Sequence, residues 1–124
     1  MNQPDFEING DTTITEAIDI LKRKADAIAQ SEDAARFYEE NPSWSNLFRK
    51  PYAPYEAALV QYKEALEINE WLNGKHPENG QMTIREIFLS MSDQTRLSLF
   101  HKRINTGVSS IFDSYLQAWW MSRY

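Results

Sequence analysis

Residues 13–30 read TITEAIDILKRKADAIAQ, and how this stretch is read decides the fold. Ile14, Ala17, Ile18, Leu21, Ala25, Ile28 and Ala29 recur at steps of three and four, the spacing of one face of an α-helix. Thr13 and Glu16 stand at that helix's start in the arrangement of a capping box. The Thr hydroxyl can take the amide three residues on, while the Glu carboxylate reaches back to the Thr amide. The helix is expected to end near Gln30. Ser31 either caps a second helical piece that runs to Glu40 or lies within one unbroken helix, and the sequence leaves both open.

Asn41-Pro42 stops this helical region, because the residue before a proline avoids the helical conformation. Residues 43–54 interleave Trp44, Leu47, Phe48 and Tyr52 with Pro51 and Pro54. This aromatic-rich connection is expected to hold one short helical turn that plugs the end of a bundle. Pro54 suits the first turn of a helix over residues 55–73, and Asn73-Gly74 suits its end. Tyr55, Ala58, Leu59, Tyr62 and Leu66 share one face of it, with Val60 and Trp71 on the other side. A polar loop follows over residues 75–81. A second capping box then appears at Thr83 and Glu86, with Ile84, Ile87, Phe88 and Met91 as its stripe. Leu97, Phe100 and Ile104 would fall on the opposite face of a continuous helix, so the spacing predicts a break at Ser92-Asp93 and a new helix to about Ile104.

Residues 108–124 close the chain with a second informative pattern. Val108, Ile111, Phe112, Tyr115, Leu116 and Trp119 make one helical stripe, with Trp120 and Tyr124 on its flank. So many aromatic side chains at a terminus predict a helix docked on its own domain, on a second copy or on a foreign partner. No segment alternates in the manner of a strand. The expectation is an all-α fold: a compact bundle of five to six helices with an aromatic-rich connection and a docked C-terminal helix. Residues 1–11 are expected to form a mobile N-terminal arm, and residues 12–124 a single helical domain. A chain of 124 residues is the size of one domain.

Composition narrows the function classes. There are 18 acidic and 13 basic residues, a formal net charge of −5, which argues against nonspecific binding to nucleic acid or to an anionic membrane. The chain has no Cys, so a disulfide framework, a thiolate metal site and a Cys nucleophile are excluded. The polar start of the sequence holds no apolar signal core, and no apolar run approaches the ~20 residues of a membrane span. A cytoplasmic protein is the expectation.

Several short patterns carry chemistry. Arg96-Leu97-Ser98-Leu99-Phe100-His101 resembles the Arg-x4-His pattern of the HEPN superfamily. The resemblance implies a dimeric ribonuclease in which His101 moves protons and Arg96 steadies the phosphate, chemistry suited to a near-neutral imidazole and a fixed cation. The plainer reading makes His101 a partly buried helix histidine on the Leu97, Phe100 and Ile104 face, with Arg96 solvated. Residues 84–104, two short helices about a Ser-Asp break, look like a helix-turn-helix, and Ser92 to Leu97 resembles a stretch of the ArsR-type repressors. Only the aromatic terminal helix follows, and the chain is acidic, so nucleic acid is not the expected partner. Tyr55 through Asn69 resembles the second helix of a tetratricopeptide repeat at Ala58, Tyr62 and Ala65, which ordinary helix packing also explains. Glu64, Glu67 and Glu70 recur every third residue but lack the companion ligands of a metal site, so a solvated acidic face is expected. No Gly-rich phosphate loop is present.

The sequence therefore points to a small non-enzymatic protein-protein interaction module, a binder, inhibitor or accessory protein without cofactor or metal. Its partner would be another protein or a second copy. Trp71, Trp119, Trp120 and Tyr124 are the candidate interface residues, because aromatic side chains dominate interface energetics. The HEPN-like ribonuclease with Arg96 and His101 is the alternative.

Overall fold

The computed structural model describes residues 6–41, 51–73 and 81–123. Six helices follow one another among them: α1 (Ile14–Ala29), α2 (Glu32–Glu40), α3 (Ala53–Asn73), α4 (Ile84–Ser90), α5 (Asp93–Thr106) and α6 (Asp113–Ser122). The described residues contain no strand, and the fold is an all-α bundle. Trp44, Leu47 and Phe48, with the helical turn expected there, lie outside the described residues, as do Tyr124 and most of the polar loop before Thr83.

Ser31 settles the question at the end of α1. Its hydroxyl donates to the Ile28 carbonyl at 2.7 Å and accepts the Ala34 amide at 3.1 Å. One side chain thus closes α1 and opens α2, so the two are separate helices. The aromatic side chains of α2 meet the start of the next segment: the Phe37 and Tyr52 ring centroids are 5.1 Å apart.

The starts of α1 and α4 lie against each other; Thr83 and Glu86 close a full capping box, whereas at Thr13 the Glu16 carboxylate meets the Thr hydroxyl instead of its amide. Thr13 and Thr83 pair as an isolated antiparallel bridge, although seventy positions separate them in the chain. The Ile14 amide donates to the Met82 carbonyl at 2.9 Å, and the Ile84 amide donates to the Thr12 carbonyl at 2.8 Å. These are first-turn amides, which a helix leaves without an internal partner. The Arg85 amide reaches the Gly10 carbonyl at 3.1 Å, and the Thr13 and Thr83 hydroxyls accept the Glu16 and Glu86 amides. Glu16 and Glu86 offset the two positive helix ends brought together here. From Phe6 to Thr12 the chain runs beside this junction: Ile8 packs on the core, and Asp11 pairs with Arg85 at 2.7 Å.

The core gathers Ile14, Ala17 and Leu21 of α1, Ala65, Ile68 and Leu72 of α3, Ile84, Ile87 and Phe88 of α4, then Met91, Phe112 and Leu116. α1 packs along α3, where buried Ala25, Ala58 and Ala65 keep the interface shallow. The buried positions of α3 are Ala58, Glu64, Ala65, Ile68 and Leu72, while Leu66 is exposed. Its core face is thus rotated from the expected Tyr55–Leu66 stripe. A helix that is apolar on several sides leaves its orientation to the neighbours rather than to its own pattern.

The C-terminal helix docks through Leu116 but begins at Asp113, five residues later than the spacing predicts. Ser110 makes the difference. Its hydroxyl accepts the Phe112 amide at 3.1 Å, and its carbonyl accepts the Asp113 amide at 3.1 Å, closing a turn ahead of the helix. Phe112 enters the core from that turn, fully buried.

Candidate functional site

α5 and α6 form an antiparallel hairpin that carries most of the residues singled out in the sequence. Ser92 caps α5 by accepting the Thr95 amide, and Gly107 ends it in the left-handed region at φ 69°. Ion pairs and rings then zip the helices together. Asp93 meets Arg123 at 3.7 Å, Phe100 stacks on Trp120 with centroids 4.6 Å apart, and Arg103 pairs with Asp113.

Arg96 sits inside this seam with its side chain only 15% exposed. Its guanidinium donates two hydrogen bonds to the Phe88 carbonyl, at 2.8 and 3.2 Å, and so caps the end of α4. The same group lies 4.4 Å over the Phe88 ring and 6.0 Å from that of Trp119, while Arg123 covers Trp119 at 5.0 Å. Arg96 therefore joins α4, α5 and α6. His101 lies on the outer side of α5, exposed to solvent, so the expected burial of His101 and solvation of Arg96 are reversed, because the Phe88 carbonyl draws the guanidinium inward.

The link into α6 is held from α3. Gln61 donates to the Ser109 carbonyl at 2.8 Å. Buried Glu64 accepts the Ser110 hydroxyl at 2.8 Å and the Ile111 amide at 2.9 Å. Burial pushes the Glu64 carboxyl above its ordinary range, and the two hydrogen bonds and nearby Lys102 pull part of the way back. Glu67 pairs with Lys102 at 3.4 Å. Glu64 is thus buried instead of lying on a solvated face, Glu64 and Glu67 position the hairpin, and no cluster of three metal-ligating side chains occurs among the described residues.

The outer side of α5 is unusual. The helix buries no residue: Leu99 is half-buried against the core, while Leu97 and Ile104 turn away from it, Ile104 with 60% of its surface exposed. Met121 on α6 is 75% exposed. The cations nearby are engaged within the chain, Arg96 with Asp93, Lys102 with Glu67 and Arg103 with Asp113. The second helix of the segment that resembles a helix-turn-helix thus presents an apolar, not a basic, outer face.

No family model, curated protein or solved structure matches the chain. The functional reading therefore stands on this geometry.

The structure places Trp119 and Trp120 side by side, with ring centroids 6.3 Å apart. Trp119 is half-buried against the core, and Trp120 lies over Phe100 at the edge of the outer face. Trp71 is half-buried on α3, packed against the core. Tyr124 lies outside the described residues. Sequence reasoning missed the outward Leu97, Ile104 and Met121 as a surface. The signal that could have found them is the face reversal at Ser92, which marks a helix whose apolar stripe does not continue that of its predecessor.

No helix among the described residues is long and apolar enough to cross a membrane.

Proposed function

We propose that this chain is a small cytoplasmic protein-protein interaction module that acts without catalysis, through the outer surface of the α5–α6 hairpin. The observation that carries the reading is the combination on that surface. Leu97, Ile104 and Met121 stand exposed beside a stacked Phe100–Trp120 pair, on a scaffold fastened from beneath by Arg96 and Glu64. Exposed apolar side chains grouped around an aromatic anchor on a rigid support are the usual make-up of a protein contact. An RNA-cleaving role for His101 asks for a cation that faces a phosphate, whereas Arg96 is turned into the seam, under two rings and onto a carbonyl.

The test compares the tagged protein with its Met121→Glu and Trp120→Ala variants in quantitative co-purification from its native cell, with circular dichroism to show that each variant is folded. The reading expects bound protein to fall at least tenfold with Met121→Glu, an exposed position whose change leaves the bundle intact. RNA hydrolysis by the purified wild type that vanishes in a folded His101→Ala variant overturns it.

A further inference from the structure

We propose that the outer stripe of α5 is a contact between two copies of this chain, paired antiparallel about a twofold axis near Phe100 and His101. The inference rests on reading the hairpin as a protein-contact surface, and it names what covers that surface. Leu97, Phe100 and Ile104 follow the three- and four-residue steps that line the seam of a helix pair. The centre of the stripe falls between Phe100 and His101. An antiparallel pairing about that point sets Leu97 of one copy against Ile104 of the other, and Phe100 against His101. Every apolar residue of the stripe then meets the second copy's stripe, as a twofold, self-complementary contact requires. Antiparallel alignment also brings the positive start of each helix beside the negative end of its mate.

Charge favours a second copy over a foreign protein. The chain carries a net charge of −5, so two copies repel wherever acidic surfaces meet. From Gln94 to Asn105 the outward positions of α5 hold no Asp, Glu, Lys or Arg. The cations of the helix lie to its sides, each paired to a carboxylate of its own chain. A foreign partner of opposite charge would be met by a rim of one sign, whereas the exposed Asp93 and Glu67 beside the stripe are each balanced by a cation of the same chain. The exposed face of α1 carries Glu16, Asp19, Lys22, Arg23 and Asp26, and that of α3 carries Glu56, Lys63, Glu67 and Glu70. A neutral strip about 16 Å long from Gln94 to Asn105, apolar over the roughly 10 Å from Leu97 to Ile104, is what like-on-like contact needs.

The test is solution mass by light scattering over a dilution series that reaches several hundred micromolar, on the wild type and on a Leu97→Glu/Ile104→Glu double variant. Both positions are exposed, so the fold is kept. The wild type should approach twice the chain mass, and the double variant should self-associate at least tenfold more weakly. The chain's lack of cysteine gives a second readout. A His101→Cys variant should be linked into dimers by a short bismaleimide, and a Lys22→Cys variant on α1 should not. A wild type that stays monomeric throughout overturns the proposal, as does a dimer indifferent to the double variant or one linked equally well through Lys22→Cys. A monomer that still captures a protein in a Met121-dependent way removes the self-contact and leaves the binding-module reading standing.

Discussion

α1 and α5 are similar in length, at 16 and 14 residues, and meet the core in opposite ways. α1 buries Ile14, Ala17, Leu21 and Ala25 and turns its charged residues outward. α5 buries no residue fully, rests on the core only through half-buried Leu99, and turns Leu97 and Ile104 outward. α1 is held by apolar burial, the dominant source of folding stability. α5 is held along its sides by a guanidinium on a carbonyl, ion pairs and stacked rings. An apolar helical stripe therefore shows that a surface is to be covered, without saying that the cover comes from the same chain.

The largest effect should come from the core side of this contrast. Leu21→Ala should lower unfolding free energy by about 2–5 kcal/mol in a urea titration, the usual range for deleting a fully buried leucine. A loss as small as that at Leu97 would break the distinction between the two helices. On the α5 side, Arg96→Ala should cost about 1.5–3 kcal/mol, because a charge-assisted hydrogen bond to the end of α4 disappears with it. The same titration reads it, and an unchanged midpoint would mean that the rings alone hold the hairpin.

Glu64 sharpens the comparison through pH. Glu64→Ala strands the Ser110 hydroxyl and the Ile111 amide and should cost about 1–3 kcal/mol. Glu64→Gln keeps an acceptor without the charge. Because the folded carboxyl titrates above its ordinary value of 4.5, its contribution is fully present below that pH and is lost as pH rises through the raised value. The Glu64→Gln variant should therefore gain on the wild type between acid and neutral pH. Parallel stability curves for the two proteins would remove the role given to burial. Leu97→Ala should have the smallest effect, within about 0.5 kcal/mol for the isolated chain, since an exposed side chain loses little on truncation. That result, measured at a dilution where the chain is monomeric, would show that the outer stripe does not serve the chain's own stability.

Much of this fold is legible in local chemistry. The capping residues Thr13 and Thr83, the break at Ser92-Asp93 and the stripes of α1 and α4 read correctly, because caps and periodicity act within a few residues. The misreading of residues 108–112 has a long-range cause. Val108, Ile111 and Phe112 are spaced as in a helix, but hydrogen bonds from the Ser110 hydroxyl and the Ile111 amide run to Glu64, forty-six and forty-seven positions away. The pairing of Trp119 with Trp120 follows from adjacency. The seat of Arg96 under Phe88 and Trp119 depends on three helices meeting, which no spacing in α5 announces.

The bridge between Thr13 and Thr83 also orders the way the molecule assembles. α4 has 7 residues, about two turns, and a helix that short does not persist alone in water. Its first two amides are satisfied by the carbonyls of Thr12 and Gly10, so it gains its first turn only once the beginning of the chain is beside it. Arg96 then needs the finished end of α4 to grip. The start of α4 is thus tied to residues 10–14, and an amide such as that of Ile84 should exchange its hydrogen only when the whole bundle opens.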